Sequence, residues 1–350
     1  VAKKSLNILR RILWWIVAIL AIAVAAGGYL IYKNVFSPNV TVHKEPMYLC
    51  IPTNSTFADV MDILTKESLI KNVKSFEWTA REAKYADAVK PGRYLLKAGM
   101  SNKDLVRLLM SGKQTPVRLV FNNIRTKQEL ADRIGEQIEA SSFTILNLLN
   151  DNDYIKSIGF NSYNVLSMFV PNTYELYWNT SADKFLQRMK KEYDKFWTPD
   201  KLLKARNMKF TPVQVSIMAS IVQQESIKED EKPTIAGVYM NRYHKNWKLE
   251  ADPTLVYALG DFSVNRILNV YKTIDSPYNT YMYAGLPPGP ICLPTISSIN
   301  AVLNYVRHDY FYFCAKDDFS GYHAFAATYA QHQLNARRFQ QALNRRGIKS

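Results

Sequence analysis

Residues 211–231 read TPVQVSIMASIVQQESIKEDE, and the rest of the chain is best understood outward from this stretch. Thr211 is a natural N-cap, and Pro212 suits the first helical position, where its missing N–H is no loss. From there Val215, Met218, Ile221 or Val222, and Glu225 recur at helical spacing. Glu225 thus extends an apolar stripe. A carboxyl group against apolar side chains has its charged form disfavoured and its pKa raised. Such a group holds a proton near neutral pH, the property required of a general acid at a glycosidic oxygen. The competing reading is a helix end where the apolar face gives way to solvent, with Glu229, Asp230 and Glu231 following.

Downstream, residues 236–260, AGVYMNRYHKNWKLEADPTLVYALG, contribute Asn241, Arg242, Glu250 and Asp252. A second carboxylate here would pair with Glu225 as base or nucleophile in the two-carboxylate glycosidase manner. The alternative for Asp252 is an ion pair with Arg242. Residues 276–290, SPYNTYMYAGLPPGP, mix prolines and glycines with tyrosines. Prolines stiffen a loop, tyrosines offer flat amphipathic faces, and Asn279 and Thr280 supply amide and hydroxyl groups, a combination suited to sugar rings. Beyond Thr211 the pattern predicts one strong helix and then long loops lining a site. The five histidines form no H-E-x-x-H or close ligand pair, and no G-x-S-x-G, Walker or Rossmann pattern occurs. No metal and no cofactor is expected.

Upstream, 47–51 reads as a strand, 53–56 as a helix start, and Phe57, Val60, Met61 and Leu64 as a helical stripe. A second helix is expected over 73–85, a strand after Pro91-Gly92, and a helix from Ser101 stopped by Gly112. Residues 46–115 so form a small α+β module. A strand at 117–121 and helices at 126–139, 143–149 and 182–195 follow, with a loop at 170–181.

The remaining decisive segment is residues 12–32, ILWWIVAILAIAVAAGGYLIY, which carries no charge. At about 1.5 Å per helical residue it spans roughly 30 Å, the thickness of a bilayer's hydrocarbon core. Lys3, Lys4, Arg10 and Arg11 precede it, and Trp14, Trp15, Tyr29 and Tyr32 supply interfacial aromatics. The positive-inside rule then predicts a cytoplasmic N-terminus and an exported remainder. A cleaved signal peptide is the alternative, with Ala21, Ala23 and Ala25 as small-residue positions.

The 350 residues carry a net charge of +15, with 47% hydrophobic and 21% charged residues, which excludes global disorder and leaves material for about two domains. Five of the excess positive charges, Lys3, Lys4, Arg10, Arg11 and Lys33, belong to the anchor region. The rest suits an anionic surface outside the membrane and argues against nucleic acid. Three cysteines without C-x-x-C spacing exclude a disulfide scaffold and a zinc ribbon. Cys292 and Cys314 are read either as a disulfide of an oxidising exterior or as two buried thiols.

Taken together, ASIVQQES around Glu225, GVYMNR at 237–242, ADPTLVYALG at 251–260, SPYNTY at 276–281, GLPPGPI at 285–291, YFYF at 310–313 and GYHAFAATYAQH at 321–332 carry a resemblance. PGRYLL at 91–96 and FVPNTY at 169–174 extend it to almost the whole chain. The sequence resembles the MltG/YceG-like family of membrane-anchored endolytic murein transglycosylases. The resemblance implies an α+β chain with a cytoplasmic tail at 1–11, a transmembrane helix at 12–32, a tether at 33–45, a LysM-like module at 46–115 and a catalytic domain at 116–350.

The family's catalytic glutamate matches Glu225, while Gln223 stands at the family's earlier acidic position. Asn172 replaces a frequent Asp, and Leu293-Pro294-Thr295 replaces a common N-P-G. The implied reaction cleaves the β-1,4 bond between N-acetylmuramic acid and N-acetylglucosamine in nascent strands, leaves a 1,6-anhydro end and terminates elongation. Asn241, Arg242, Asp252, Asn279, Tyr281 and His323 are expected to shape the sugar cleft. Implied partners are peptidoglycan glycan strands, the cytoplasmic membrane and peptidoglycan synthases. The competing functions are a hydrolytic muramidase using Asp252 or Glu250, and a noncatalytic wall-binding scaffold.

Overall fold

The computed structural model describes residues 2–122, 124–264 and 267–347, and no side chain of residues 2–8. The side chains of Lys3 and Lys4, invoked for topology, and the last three residues of the expected catalytic domain therefore lie outside the described residues. The architecture is α+β, with short strands among many helices. The chain divides into two compact units, one of 1–117 with 175–179, the other of 118–174 with 180–350.

In the first unit α1 (Ala2–Phe36) is one continuous helix whose apolar part, Leu9–Phe36, includes the expected 12–32 run and buries none of its side chains. Strand β1 (Met47–Ile51) pairs antiparallel with β2 (Gly92–Leu96), Leu49 lying opposite Tyr94. Around this strand pair stand α2 (Phe57–Lys66), α3 (Val73–Glu82) and α4 (Asn102–Ser111). Leu49, Ile51, Val60, Leu64, Phe76, Tyr94, Leu105 and Leu109 form one buried cluster. Capping boxes start two of the helices, Thr56 with Asp59 and Ser101 with Asp104, and Gly112 in the left-handed region (φ 67°) ends α4.

Two expectations change here. The helix expected over 73–85 stops at Glu82, because Lys84 turns left-handed (φ 58°) and a 3-10 turn over Tyr85–Asp87 follows. The stretch 33–45 is not a loose tether. The helix runs on to Phe36, Asn39 and Val40 are buried, and Pro38 and Val40 bridge to Ser101 and Ile70. Asn39 explains the difference: its amide donates to Asn72 O (3.0 Å) and Asn102 Oδ1 (2.6 Å) and accepts from the Asn72 N–H (2.7 Å). A polar residue in a short polar stretch reads as linker in sequence, yet a satisfied buried amide is structural.

Strands β3 (Val117–Val120) and β4 (Thr173–Leu176) straddle the division between units. The second unit holds α5 (Lys127–Gly135), α6 (Ser142–Asn150), α7 (Asn152–Ser157), α8 (Ala182–Phe196), α9 (Pro199–Asn207) and α10 (Pro212–Glu225). Then come α11 (Lys232–His244), α12 (Asp252–Leu259), α13 (Ile296–Leu303), the antiparallel hairpin of β5 (Tyr312–Ala315) and β6 (His323–Ala326), and α14 (Tyr329–Arg345).

The expectation of one helix followed by long loops after Thr211 is therefore corrected, as is the unbroken loop at 170–181. Helix α11 is buried around Ile235, Ala236, Val238, Tyr239 and Met240, so it shows no one-sided stripe to read. Helices α12 and α13 have only eight residues each, and β4 has four. The stripe on α10 is likewise only part of the pattern: every residue from Val215 to Val222 is buried. This helix is the core of its unit, packed against α11 and α13.

Candidate active site

Glu225 is the last residue of α10, and the extended backbone of Ser226 (φ −144°, ψ 138°) ends the helix there. The residue keeps partial solvent access while protein atoms closely ring its carboxyl group. Burial pushes its pKa up to about 7. The Tyr239 hydroxyl, which donates to Glu225 Oε1 at 2.5 Å, opposes that rise; the charge of Asp252 adds to it, and the Arg242 guanidinium opposes it. The result is a carboxyl group divided between its two forms near neutral pH.

The GVYMNR segment of α11 supplies two faces. Gly237 and Asn241, one turn apart, meet the 306–310 stretch: a Cβ on Gly237 would lie 2.2 Å from Val306 O, and Asn241 Nδ2 donates to His308 O (2.7 Å) and Tyr310 O (2.9 Å). Tyr239 and Arg242, three residues apart, face the cleft. Arg242 donates through Nε to Phe311 O (2.7 Å) and through Nη1 to Leu249 O (2.9 Å) and Glu250 Oε2 (3.1 Å). The glycine, amide and guanidinium of one motif thus fix the approach to the β5–β6 hairpin while Tyr239 addresses the acid.

Asp252 opens α12 and accepts the Tyr281 O–H at 2.6 Å. The alternative ion pair between Arg242 and Asp252 is not formed; Glu250 takes Arg242 instead. The left-handed backbone at Glu250 (φ 52°) separates the partners of two acids that stand close in sequence. The 276–281 loop is tied to this helix start, for Thr280 Oγ1 accepts the Ala251 N–H (3.0 Å) and bonds Thr254 Oγ1 (2.8 Å).

Glu225 and Asp252 line two lobes of space. One, about 350 Å³, is bounded by Arg125, Gln224, Val256, Tyr257 and Phe262. The other, about 230 Å³, is bounded by Tyr239, Arg242, Glu250, Tyr281, Tyr312 and His332. Of the expected cleft residues, Arg242, Asp252 and Tyr281 therefore gather with Glu225.

Asn241, Asn279 and His323 line neither lobe among the described residues. Asn241 braces the backbone as above. Asn279 is fully buried, donating to Lys272 O (3.0 Å) and Ile274 O (2.8 Å) and accepting the Tyr281 N–H (2.9 Å), so it holds the residue that binds Asp252. His323 pairs through Nδ1 with Glu231 Oε2 (2.6 Å), and its N–H donates to Glu231 Oε1 (2.7 Å). Glu231, which the competing reading of Glu225 set beyond a helix end opening to solvent, is buried.

Gln223 is a brace as well: its Oε1 accepts Thr295 N–H (2.5 Å) and Ser298 O–H (3.2 Å), and its Nε2 donates to Leu293 O (3.3 Å). It fixes the Leu293-Pro294-Thr295 segment. Cys292 and Cys314 are free thiols, so the disulfide reading is corrected. Burial pushes the Cys292 thiol up to about 11, and Gln224 Nε2 approaches its sulfur at 3.4 Å. Asn172 is exposed, its side chain accepting the Thr173 N–H.

Sequence reasoning did not single out Tyr239, Arg125, Tyr312 or His332. Tyr239 had a signal, its i, i+3 spacing to Arg242. Arg125 had none, since it reaches Gln224 Oε1 (3.1 Å) from 99 positions away. His332 stacks on Tyr312 at 5.3 Å, and burial holds its imidazole below the usual range.

Tyr239→Phe should move the alkaline limb of kcat/KM to higher pH. The hydroxyl stabilises the ionised form of Glu225, so its loss raises the Glu225 pKa. A pH–rate profile of the variant checks the direction; a limb moving to lower pH would contradict the geometry.

These features define a class: an α+β protein in which one carboxyl group of raised pKa lines both lobes of a tyrosine-rich polar cleft. The chain belongs to the YceG-like family, whose model matches residues 49–338. It is 28% identical over 325 residues to an endolytic murein transglycosylase of Bacillus subtilis, covering 88% of this chain and 89% of the relative. It is 28% identical over 328 residues to an endolytic murein transglycosylase of Streptococcus pneumoniae, covering 83% of this chain and 58% of that longer protein. The crystal structure of a YceG-like protein from Listeria monocytogenes superposes with a TM-score of 0.55 at 27% identity, covering 83% of this chain and 99% of the other.

Proposed function

We propose that this chain is an endolytic murein transglycosylase that cuts the β-1,4 bond between N-acetylmuramic acid and N-acetylglucosamine inside a glycan strand. The observation that carries the reading is the place of Glu225, at the end of α10 and shared by both lobes of the cleft, where burial pushes its pKa up to about 7. Two lobes that share one acid suit a strand running past it, as internal cleavage requires.

Glu225 gives its proton to the glycosidic oxygen as the bond from that oxygen to muramic C1 breaks. The carboxylate, held by the Tyr239 O–H, then takes the proton of the muramic C6 hydroxyl as O6 bonds to C1. Acid and base are one group in alternate states, so Glu225 ends protonated and no water is consumed. A pKa near 7 serves both halves, since neither form is far from available.

Asp252 favours a second reading. It lines both lobes with Glu225, as the partner carboxylate of a hydrolytic muramidase would. Under the transglycosylase reading Asp252 instead raises the Glu225 pKa and holds Tyr281. Asp252→Asn should then move the alkaline limb of kcat/KM to lower pH and still yield anhydro ends. Mass analysis of the strand ends separates the two: an anhydro end is lighter by one water than a reducing end, and reducing ends from the wild type would establish hydrolysis.

Within the same proposal α1 is a single-pass anchor in the cytoplasmic membrane, with the N-terminus inside and the second unit outside. The strand–helix–helix–strand order of 46–115 supports a LysM-like module, and 116–350 is the catalytic domain. The substrate is nascent strand close to the membrane, its cleavage ends elongation, and a peptidoglycan synthase is the companion enzyme.

A further inference from the structure

The geometry points to a phospholipid site beside the outer end of α1: a groove that takes the headgroup and glycerol region of an anionic lipid from the membrane the helix crosses. This rests on reading α1 as a membrane anchor. The groove, about 700 Å³, lies between the end of α1, α3 and α4 and is lined by Phe36, Trp78, Val106 and Met110 with the cations Lys103 and Arg107. Glu82 is its one acidic residue. Phe36, Trp78 and Met110 are 45%, 40% and 36% exposed, an apolar surface that a water-facing site would leave uncovered.

Its height relative to the anchor is fixed. The Asn34 carbonyl of α1 accepts the Asn102 Nδ2–H at 2.7 Å, and Asn102 is itself buried, donating also to Ser75 Oγ (2.9 Å) and accepting from Asn39 (2.6 Å). The module therefore cannot swing freely about the helix end. Phe36 stands four residues beyond Tyr32, the last residue of the uncharged run, a rise of about 6 Å along the axis. The headgroup layer on each side of a bilayer is roughly 5–8 Å thick. An anchor seated on its uncharged run thus brings the groove to headgroup level.

The chemistry at that level matches. Tryptophan favours the membrane interface, and clustered basic side chains favour anionic lipid. Lys103, Arg107 and Met110 recur at i, i+4 and i+7, so α4 presents two cations and a flexible apolar side chain along one face. Lys103 Nζ also lies 4.7 Å from the Phe36 ring centroid, which places a cation beside the apolar wall. A phosphate would meet the two cations while the glycerol and upper acyl carbons cover Phe36, Trp78 and Met110.

The test uses the full chain in nanodiscs that carry brominated phosphatidylglycerol or brominated phosphatidylcholine. The Trp78 signal is isolated as wild type minus Trp78→Phe. We expect it to be quenched at least about two-fold more by the anionic lipid, and the preference to disappear in Lys103→Gln/Arg107→Gln. Met110→Trp in the Trp78→Phe background should restore a lipid-quenched signal from the opposite helix. A Trp78 signal untouched by either lipid overturns the site, and equal quenching by both overturns its anionic selectivity. A signal that responds only to the number of protein copies per disc assigns the groove to a second copy and also overturns it. The Trp14→Phe/Trp15→Phe difference tests the anchor separately: quenching there without quenching at Trp78 sinks the groove alone, whereas none at either sinks the anchor reading.

Discussion

Glu225→Gln should lower kcat/KM on purified glycan strands by about 10³- to 10⁴-fold, the upper part of the range for loss of a general acid–base group. The replacement keeps the size of the side chain and an oxygen able to accept the Tyr239 O–H, so the cleft wall stays in place. It removes the only function a carboxamide cannot supply, transfer of a proton to the leaving oxygen and recovery of one from the C6 hydroxyl. Both halves of the reaction pass through this group, so no second step remains fast. Steady-state assay of strand cleavage checks the prediction, and turnover within ten-fold of wild type would remove Glu225 from the mechanism.

The same substitution should stabilise the protein, and only above a definite pH. Folding raises the Glu225 pKa from 4.5 to about 7, chiefly by burial. The folded state therefore binds this proton more tightly than the unfolded chain does. Below about pH 4.5 the group is protonated in both states and no penalty exists. As pH rises from 4.5 to 7 the unfolded chain ionises first, and stability falls. Above about 7 the folded state carries the full cost, at most about 3 kcal/mol for that interval. Glutamine has no charged form, so Glu225→Gln should exceed wild type by up to about 3 kcal/mol at pH 8, with the difference shrinking through pH 6 and vanishing near 4.5. Denaturant unfolding at these pH values measures it. A difference independent of pH would mean that packing, not the buried charge, sets the effect. Activity lost and stability gained by one isosteric change would identify a site in which stability is given up for function.

The place of Glu225 was legible because a local rule reached it. Thr211, Pro212 and the spacing through Met218 place Glu225 on a helix, and the close ring of protein around its carboxyl group follows from that helix being buried on every side from Val215 to Val222, not from one stripe. Arg242, Asp252 and Tyr281 were legible as a group through the polarity of their motifs, and the fold does gather them at Glu225. Asn241, Asn279 and His323 have the same chemistry in sequence but hold backbone or a buried acid one step behind the cleft. Nothing in a linear pattern separates an amide that meets ligand from one that satisfies two carbonyls. Arg125 was illegible for another reason: its place beside Gln224 is made by packing between segments far apart in the chain. Helix α11 was hidden by burial on every side and α12 and α13 by short length, both of which erase the periodicity that marks an amphipathic helix.

In the proposed reaction one carboxyl group serves as acid and then as base, with the sugar's own C6 hydroxyl in place of water. Digestion of intact glycan strands by the wild type in H₂¹⁸O, with mass analysis of every new muramic acid end, addresses it directly. The expected ends are lighter by one water and contain no ¹⁸O, and Glu225→Gln yields none of them. New reducing ends carrying ¹⁸O at C1 would contradict it, and would make Asp252 the residue to explain.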